Sequence, residues 1–360
     1  MAPKIFLTGA TGYVGGDILY ALEKAHPEYE YTAIVRNSDK GAAVAAVYPK
    51  IRLVYGTLED SALLEEESAK ADIVVHTADA SDHPGAAHAI AKGILSGHSK
   101  ANPGFWIHTS GTRILCWYDT DNEIYGEAPS QKPYDDLDRV SDLTSLPDSA
   151  SHRDVDKIVL GANAANPDVV RTAVVCPPTI YGPGRGPGNQ RSRQVYDLAK
   201  ITLQNGQAPQ LGKGLTEWDN VHIHDLSALF VLVAENAASM QQADGSDYAE
   251  IWGPKGYFLA ENGHHVWGKI AQRVGEIAFE KGYIKEKNTK PMSLEEAQEA
   301  AGLEAVSWGL NSKGYAKRAR KFLGWKPQGD SLEDELETIV VGEAKKLGIE
   351  KGYKEKAAGA

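Results

Sequence analysis

The sequence predicts a doubly wound α/β fold, a parallel sheet with helices on both faces, followed by a smaller and mostly helical C-terminal lobe. Three features predict it. A glycine-rich turn joins an apolar run to a helical pattern within the first fifteen residues. Short β-rich runs then alternate with helical stretches as far as Val175, and such alternation calls for parallel strands joined by crossover helices. At 360 residues the chain exceeds what one core usually fills, so a second lobe is expected.

The first strand is Ile5-Phe6-Leu7, and Gly9-Ala10-Thr11-Gly12-Tyr13-Val14-Gly15 follows it directly. Glycines let the backbone turn tightly and approach a ligand, and the exposed N–H groups that open a helix favour negative charge. Strand, turn and helix therefore form a cradle for a diphosphate, which makes the first lobe a Rossmann-type dinucleotide-binding domain. The helix spans about 13–24, with Val14, Ile18, Leu19 and Leu22 at helical spacing and Pro27 beyond its end. A second strand over 31–35 completes a right-handed βαβ unit. Further strands are predicted at 51–55, 73–77, 105–109 and 169–175, with helices at 61–70, 85–100 and 151–165. The acidic, proline-punctuated segment 119–148 reads as a solvated loop, with a substrate lid as the alternative.

The dinucleotide-binding domain is bounded at 1–178 and the substrate lobe at 179–350, with the chain returning to the sheet near 217–240. Helices are predicted at 192–203, 224–239, 266–281, 293–301, 312–322 and 331–347, and strand-like runs at 217–223 and 248–252. The charged tail from Lys351 reads as frayed.

A formal charge of -11 with no dense Lys and Arg cluster argues against binding a nucleic-acid backbone. Cys116 and Cys176 sit beside apolar residues and read as packing residues in a reducing compartment. No room precedes the first strand for a signal peptide, and no apolar run approaches bilayer length, so a cytoplasmic protein off the membrane is expected. His222 and His224 share a strand face, but no third ligand is near in sequence, and no metal is expected. The second strand ends Ile34-Val35-Arg36-Asn37, with a cation where an acidic residue would accept ribose hydroxyls. Arg36 suits a phosphate, so NADP(H) is the expected cofactor in preference to NAD(H).

Six segments, in order and spacing, resemble the extended short-chain dehydrogenase/reductase family, the group of sugar-nucleotide epimerases, dihydroflavonol-type reductases and hydroxysteroid dehydrogenases. They are Thr8 to Gly15, Asp72 to Ala78, His108 to Gly111, Pro177 to Gly184, Asn220 to Leu226, and Leu323 to Pro327. The resemblance implies a nicotinamide cofactor along the C-terminal strand edge and a small carbonyl or alcohol substrate. It places the cofactor against Gly9, Thr11, Gly12, Tyr13, Val14, Gly15, Arg36, Thr57, Leu58, Thr77, Ala78, Pro177, Thr179 and Ile180. Thr57 stands where relatives usually carry an adenine-contacting Asp. A homodimer paired through the helices at 85–100 and 151–165 is implied as well.

The family's chemistry uses Ser110 and a Tyr-x-x-x-Lys pair, whose spacing puts both side chains on one helix face. Here the helix opens Ser151-His152-Arg153-Asp154-Val155-Asp156-Lys157. Lys157 is kept as the ribose contact, and Arg153 holds the tyrosine position. Arginine stays charged and cannot pass a proton near neutral pH, so Arg153 is expected to clamp an anion or stabilise an alkoxide. His152, Tyr118, Tyr125 and Tyr181 are the candidate replacement acids, with His152 read as a surface residue one position off the required face. Trp117, Tyr118, Tyr181, Trp218, Arg185 and Arg191 are candidates for a substrate pocket. Two functions compete: an oxidoreductase or epimerase-like enzyme with an atypical active site, and a catalytically silent nucleotide-binding sensor.

Overall fold

The computed structural model describes residues 2–240 and 248–349. Its first half runs β1 (Lys4–Thr8), α1 (Tyr13–Ala25), β2 (Glu30–Val35), α2 (Ser38–Val47), β3 (Arg52–Tyr55), α3 (Ser61–Lys70), β4 (Ile73–His76), α4 (Pro84–Gly97), β5 (Gly104–Thr109), α5 (Trp117–Asp121), β6 (Tyr134–Asp135), α6 (Val140–Thr144), α7 (Arg153–Ala165) and β7 (Val170–Cys176). The second runs β8 (Thr179–Tyr181), α8 (Gln194–Asn205), β9 (Pro209–Leu211), β10 (Glu217–His222), α9 (Ile223–Met240), α10 (Tyr248–Ile251), β11 (Tyr257–Leu259), β12 (His264–Val266), α11 (Trp267–Glu280), β13 (Lys290–Met292), α12 (Leu294–Ala301), β14 (Gly314–Tyr315), α13 (Arg318–Phe322) and α14 (Leu332–Lys346).

Seven strands form one parallel sheet in the order β11-β7-β5-β4-β1-β2-β3. Its centre is apolar on both faces, as helix-covered parallel strands require: Ile73, Val74 and Val75 of β4 and Phe105, Trp106 and Ile107 of β5 are all buried. The order reverses at β1, where β4 lies on one side and β2 on the other. Ligands bind at such a switch point, beyond the carboxyl ends of the strands.

Several expectations are corrected. Residues 248–251 are helical rather than extended, and the seventh strand is β11, which pairs with β7 from Val174 to Cys176. Helix α9 packs on α1 and against β4 and β5, and the chain adds its strand to the sheet at 257–259. The helix expected over 312–322 is instead β14 followed by α13. Asp136 decides this: its carboxylate accepts the backbone N–H groups of Lys317 (2.8 Å) and Arg318 (2.9 Å), capping a later helix start. Segment 119–148 is no solvated loop, because Asp119, Asp135 and Asp136 are buried. Asp136 also accepts the Leu259 N–H at 3.0 Å, and Asp119 accepts two donors from Asn311 at 2.8 and 2.9 Å. Helix α2 went unpredicted because Ser38–Val47 is dominated by small residues with little apolar periodicity.

Two hydrophobic cores interleave along the chain. The one around the sheet draws on 221–260 and 316–325 as well as on the first half. The other joins Cys116 to residues from 181–218, 267–310 and 332–344. Both cysteines are buried and free of disulfides. The tail from Lys351 lies outside the described residues.

Candidate functional site

The carboxyl ends of the central strands open onto a cleft of about 1270 Å³. Its floor at one end is the glycine turn. Gly9 has φ +86°, a conformation glycine adopts without strain. A Cβ on Gly15 would lie 2.4 Å from the Gly9 carbonyl oxygen and 2.3 Å from Thr77 Oγ1, so backbone meets backbone only because both residues are glycine. Gly12 precedes α1, whose first turn has no side-chain cap and no acidic residue. The first N–H groups of α1 are therefore left for an anion.

A loop holds this turn in place. Asn189 N–H donates to the Thr11 carbonyl at 3.0 Å, and Gly186 abuts Gly16 so closely that a Cβ would lie 2.6 Å from its Cα. Beneath them the buried Asp17 accepts Arg185 and Ser227. Burial pushes that carboxyl up, but the hydrogen bonds from Arg185 and Ser227 outweigh it and leave Asp17 below the usual carboxylate range. The loop that carries Gly186-Pro187-Gly188 thus braces the cradle, and Arg185 is committed to Asp17 rather than to a ligand. Beyond the cradle, Arg36, Lys40, Thr57 and Leu58 line the cleft. This is a cradle of the kind a dinucleotide diphosphate requires, with two cations at its far end.

The other end is built from side chains. His152, Asp82, Gly111, Arg113, Trp218 and Arg191 to Gln194 line it. His152 takes a left-handed conformation (φ +67°) just ahead of α7 and turns its ring into the cleft. Its Nδ1 lies 2.7 Å from Asp82, and a Cβ on Gly111 would be 3.4 Å from its Nε2. The imidazole thus spans from a carboxylate to the end of β5. The bond from His152, aided by Ser81 and the charge of Arg113, holds Asp82 below the usual carboxylate range.

One turn along the same helix face, Asp156 is wholly buried. It accepts the Tyr257 hydroxyl at 2.7 Å, and His108 Nε2 lies 3.9 Å away. Burial raises its carboxyl to about 6, with the Tyr257 and Ser110 hydroxyls opposing the rise. Burial also holds His108 well below the usual histidine range, helped by neighbouring His76, so the ring is neutral.

Most of the residues expected at a cofactor line the cleft: Gly9, Thr11, Gly12, Tyr13, Val14, Gly15, Arg36, Thr57, Leu58, Thr77, Ala78, Pro177 and Ile180. Thr179 and Ser110 lie beneath its wall, both buried. Arg153 and Lys157 do not reach it. Arg153 donates to the carbonyls of Leu146 (3.0 Å) and Thr144 (2.8 Å), and Lys157 bonds Asp148 at 2.8 Å on the surface. Arg153 is buried on the inner face of α7 with Val155, Asp156 and Val159, Lys157 is exposed, and of this stretch only His152 lines the cleft. Tyr118, Tyr125 and Tyr181 are absent from the wall, and Tyr181 donates to the Asp330 carbonyl at 2.8 Å. Trp218 is on the wall, whereas Trp117 Nε1 donates to the Tyr134 hydroxyl at 2.8 Å. Asp82, Arg113 and Arg193 were missed. Arg113 alone left a signal, three residues past Ser110.

His222 Nδ1 accepts the His224 N–H at 3.1 Å, and His224 Nε2 lies 3.0 Å from the Pro183 carbonyl. Among the described residues no group of three or more His, Cys, Asp or Glu side chains is placed to hold a metal ion, and no helix is long and apolar enough to cross a membrane.

The model of the NAD dependent epimerase/dehydratase family matches residues 5–248. The chain belongs to that family. An "Oxidase ucsJ" of Acremonium sp is 40% identical over 350 residues, covering 97% of this chain and all of the relative. An uncharacterized protein of Schizosaccharomyces pombe is 26% identical, covering 92% of this chain and 98% of its own. The fold of this family member is that of dTDP-glucose 4,6-dehydratase from Streptomyces venezuelae, solved with NAD bound (TM-score 0.63, 15% identity, 95% and 97% of the two chains covered). It is equally that of UDP-glucose 4-epimerase from Thermotoga maritima, solved with UDP-glucose (TM-score 0.61, 16% identity, 96% and 99% covered).

Proposed function

We propose that this family member is an NADP(H)-dependent oxidoreductase of a small alcohol or carbonyl compound, in which His152 moves the proton. The observation that carries the reading is the His152 ring on the cleft wall, with one nitrogen 2.7 Å from Asp82 and the other over Gly111. When bound, the nicotinamide supplies the hydride acceptor or donor. His152 takes the hydroxyl proton during oxidation and returns it during reduction, and Asp82 orients the ring. Gly9 to Gly15 cradle the diphosphate, and Arg36 with Lys40 meets a ribose phosphate. Support for the phosphate comes from Arg36 directly after β2, where an acidic residue would accept ribose hydroxyls, and support for a dinucleotide at this cleft from the NAD bound in the similar dTDP-glucose 4,6-dehydratase. The name of the Acremonium relative fits the oxidative direction.

Two copies paired through α4 and α7, which pack against each other, belong to the same reading. Exposed Leu95 and half-buried Ile158 and Leu160 would lie at the contact. Light scattering at micromolar concentration should give twice the chain mass. The buried free cysteines suit a cytoplasmic setting.

The test combines binding and turnover. Fluorescence titration should show NADPH binding about ten to a hundredfold tighter than NADH, the equivalent of a charge-assisted contact of about 1.5 to 3 kcal/mol. Asparagine tolerates the left-handed backbone, so His152→Asn isolates the loss of proton transfer. It should lower turnover by roughly 10² to 10⁴ across a panel of alcohols, aldehydes and ketones, with NADPH affinity unchanged. Equal turnover in His152→Asn would remove His152 from the reaction. NADPH binding without turnover of any compound would favour the silent sensor.

A further inference from the structure

We infer that Arg113 is the anion receptor of the substrate end, and that the substrate is a short hydroxy or oxo acid held by its carboxylate. This rests on the oxidoreductase reading above and names its substrate class.

Four arginines line the cleft, Arg36, Arg113, Arg191 and Arg193. Two are already neutralised: Arg191 bonds Glu343 at 2.9 and 3.0 Å and Asp197 at 2.8 Å, and Arg193 pairs with Glu304 at 3.1 Å. Arg36 stands at the far end, beyond β2. Arg113 is different. It sits in the 3-10 turn Thr112–Cys116 just past β5, half-buried, and no hydrogen bond or ion pair engages its side chain among the described residues. Its charge reaches Asp82, whose carboxylate is itself taken by His152 at 2.7 Å and Ser81 at 2.9 Å. Arg113, Asp82 and His152 therefore share one wall, and only Arg113 has its donors free.

A partly desolvated cation whose donors have no hydrogen-bond partner is unfavourable, Asp82 acting on it only through space, and a ligand anion in the cleft relieves that. The planar fork of a guanidinium matches a carboxylate with two parallel hydrogen bonds. A phosphate would call for a second free cation, but Arg191 and Arg193 are committed to carboxylates of the chain. One free fork therefore favours a singly charged carboxylate. In the oxidative direction the substrate's carbinol C–H leaves as hydride to oxidised nicotinamide, its O–H proton goes to His152, and a carbonyl forms. The carboxylate on Arg113 is unchanged throughout.

Isothermal titration of straight-chain 2-oxo and 3-oxo acids and their methyl esters tests this, with and without saturating NADP⁺. Wild type, Arg113→Gln and Arg113→Lys are compared. At least one acid should bind, its ester at least about tenfold more weakly, and Arg113→Gln should weaken the acid about ten to a hundredfold, the loss of one charge-assisted contact. Arg113→Lys should recover part of that affinity, and NADPH binding should stay constant in all three, which also reports that the variants fold. In turnover, Arg113→Gln should raise KM more than it lowers kcat. Acids and esters binding alike, no acid binding at all, or an unaffected Arg113→Gln would each overturn the assignment. Displacement of the acids by inorganic phosphate at similar concentration would overturn the carboxylate in favour of a phosphorylated substrate. Acids that bind through Arg113 without any hydride transfer would leave this site standing and overturn the oxidoreductase reading.

Discussion

The two ends of the cleft are made differently. At the glycine turn the ligand-facing surface is backbone, held by contacts such as the Cβ-excluding approach of Gly15 to Gly9 and Thr77. At the β5 end it is side chains, delivered by the rotation of α7 and by the short turns that follow β4 and β5. A backbone site demands particular residue types at fixed spacing, so it leaves a mark in sequence. A side-chain site depends on which face of a helix meets the sheet, and a shift of one residue moves its members by about 100° around the axis.

The largest expected effect breaks the backbone end. Gly15→Val should abolish measurable NADPH binding, because a side chain there cannot avoid the Gly9 carbonyl. Overpacking of this kind costs about 1 to 3 kcal/mol of stability, which thermal unfolding would register. Retained NADPH affinity would mean that the turn is not where the diphosphate lies.

Asp156 sharpens the side-chain end. Its carboxyl, raised to about 6 by burial, lies above the ordinary 3.8. A raised carboxyl destabilises the folded state where it is ionised, fully above about pH 6, and the penalty fades as pH falls toward 4. The stability of Asp156→Asn relative to wild type should therefore be greater at pH 7.5 than at pH 4, by up to about 3 kcal/mol. Urea unfolding across that range measures it. A pH-independent difference would mean that Asp156 is not ionising in the folded interior.

The smallest effect tests the helix phase. Lys157 bonds Asp148 at the surface, so Lys157→Ala should change stability by about 0 to 1 kcal/mol and leave NADPH affinity unaltered. A clear loss of affinity would show that α7 turns when cofactor binds and that the comparison of the two ends holds only for the free protein.

Much of the architecture was readable from residue pattern. The first βαβ unit, the helix over 61–70 and the last long helix all fall close to their predicted places, because each has a strong period or clear punctuation. The failures share a cause. Residues 248–252 and 312–322 have locally plausible patterns, yet distant partners decide them, above all the Asp136 carboxylate that caps α13 from far away in sequence. At the site, Arg153 and Lys157 stood at the family's spacing and were expected to work there. Carbonyls of 144 and 146 and the Asp148 carboxylate hold them away from it.

By itself the sequence determined the parallel sheet, the glycine cradle and the cation after β2, since those follow from local backbone demands and the order of strands and helices. Only the tertiary structure decided that His152 faces the site while Asp156 is buried behind it, that Asp82 meets His152, and that Arg113 keeps its fork free while Arg185 and Arg191 do not. Helix phase and charge pairing are settled by contacts between residues far apart in the chain, and no local pattern records them.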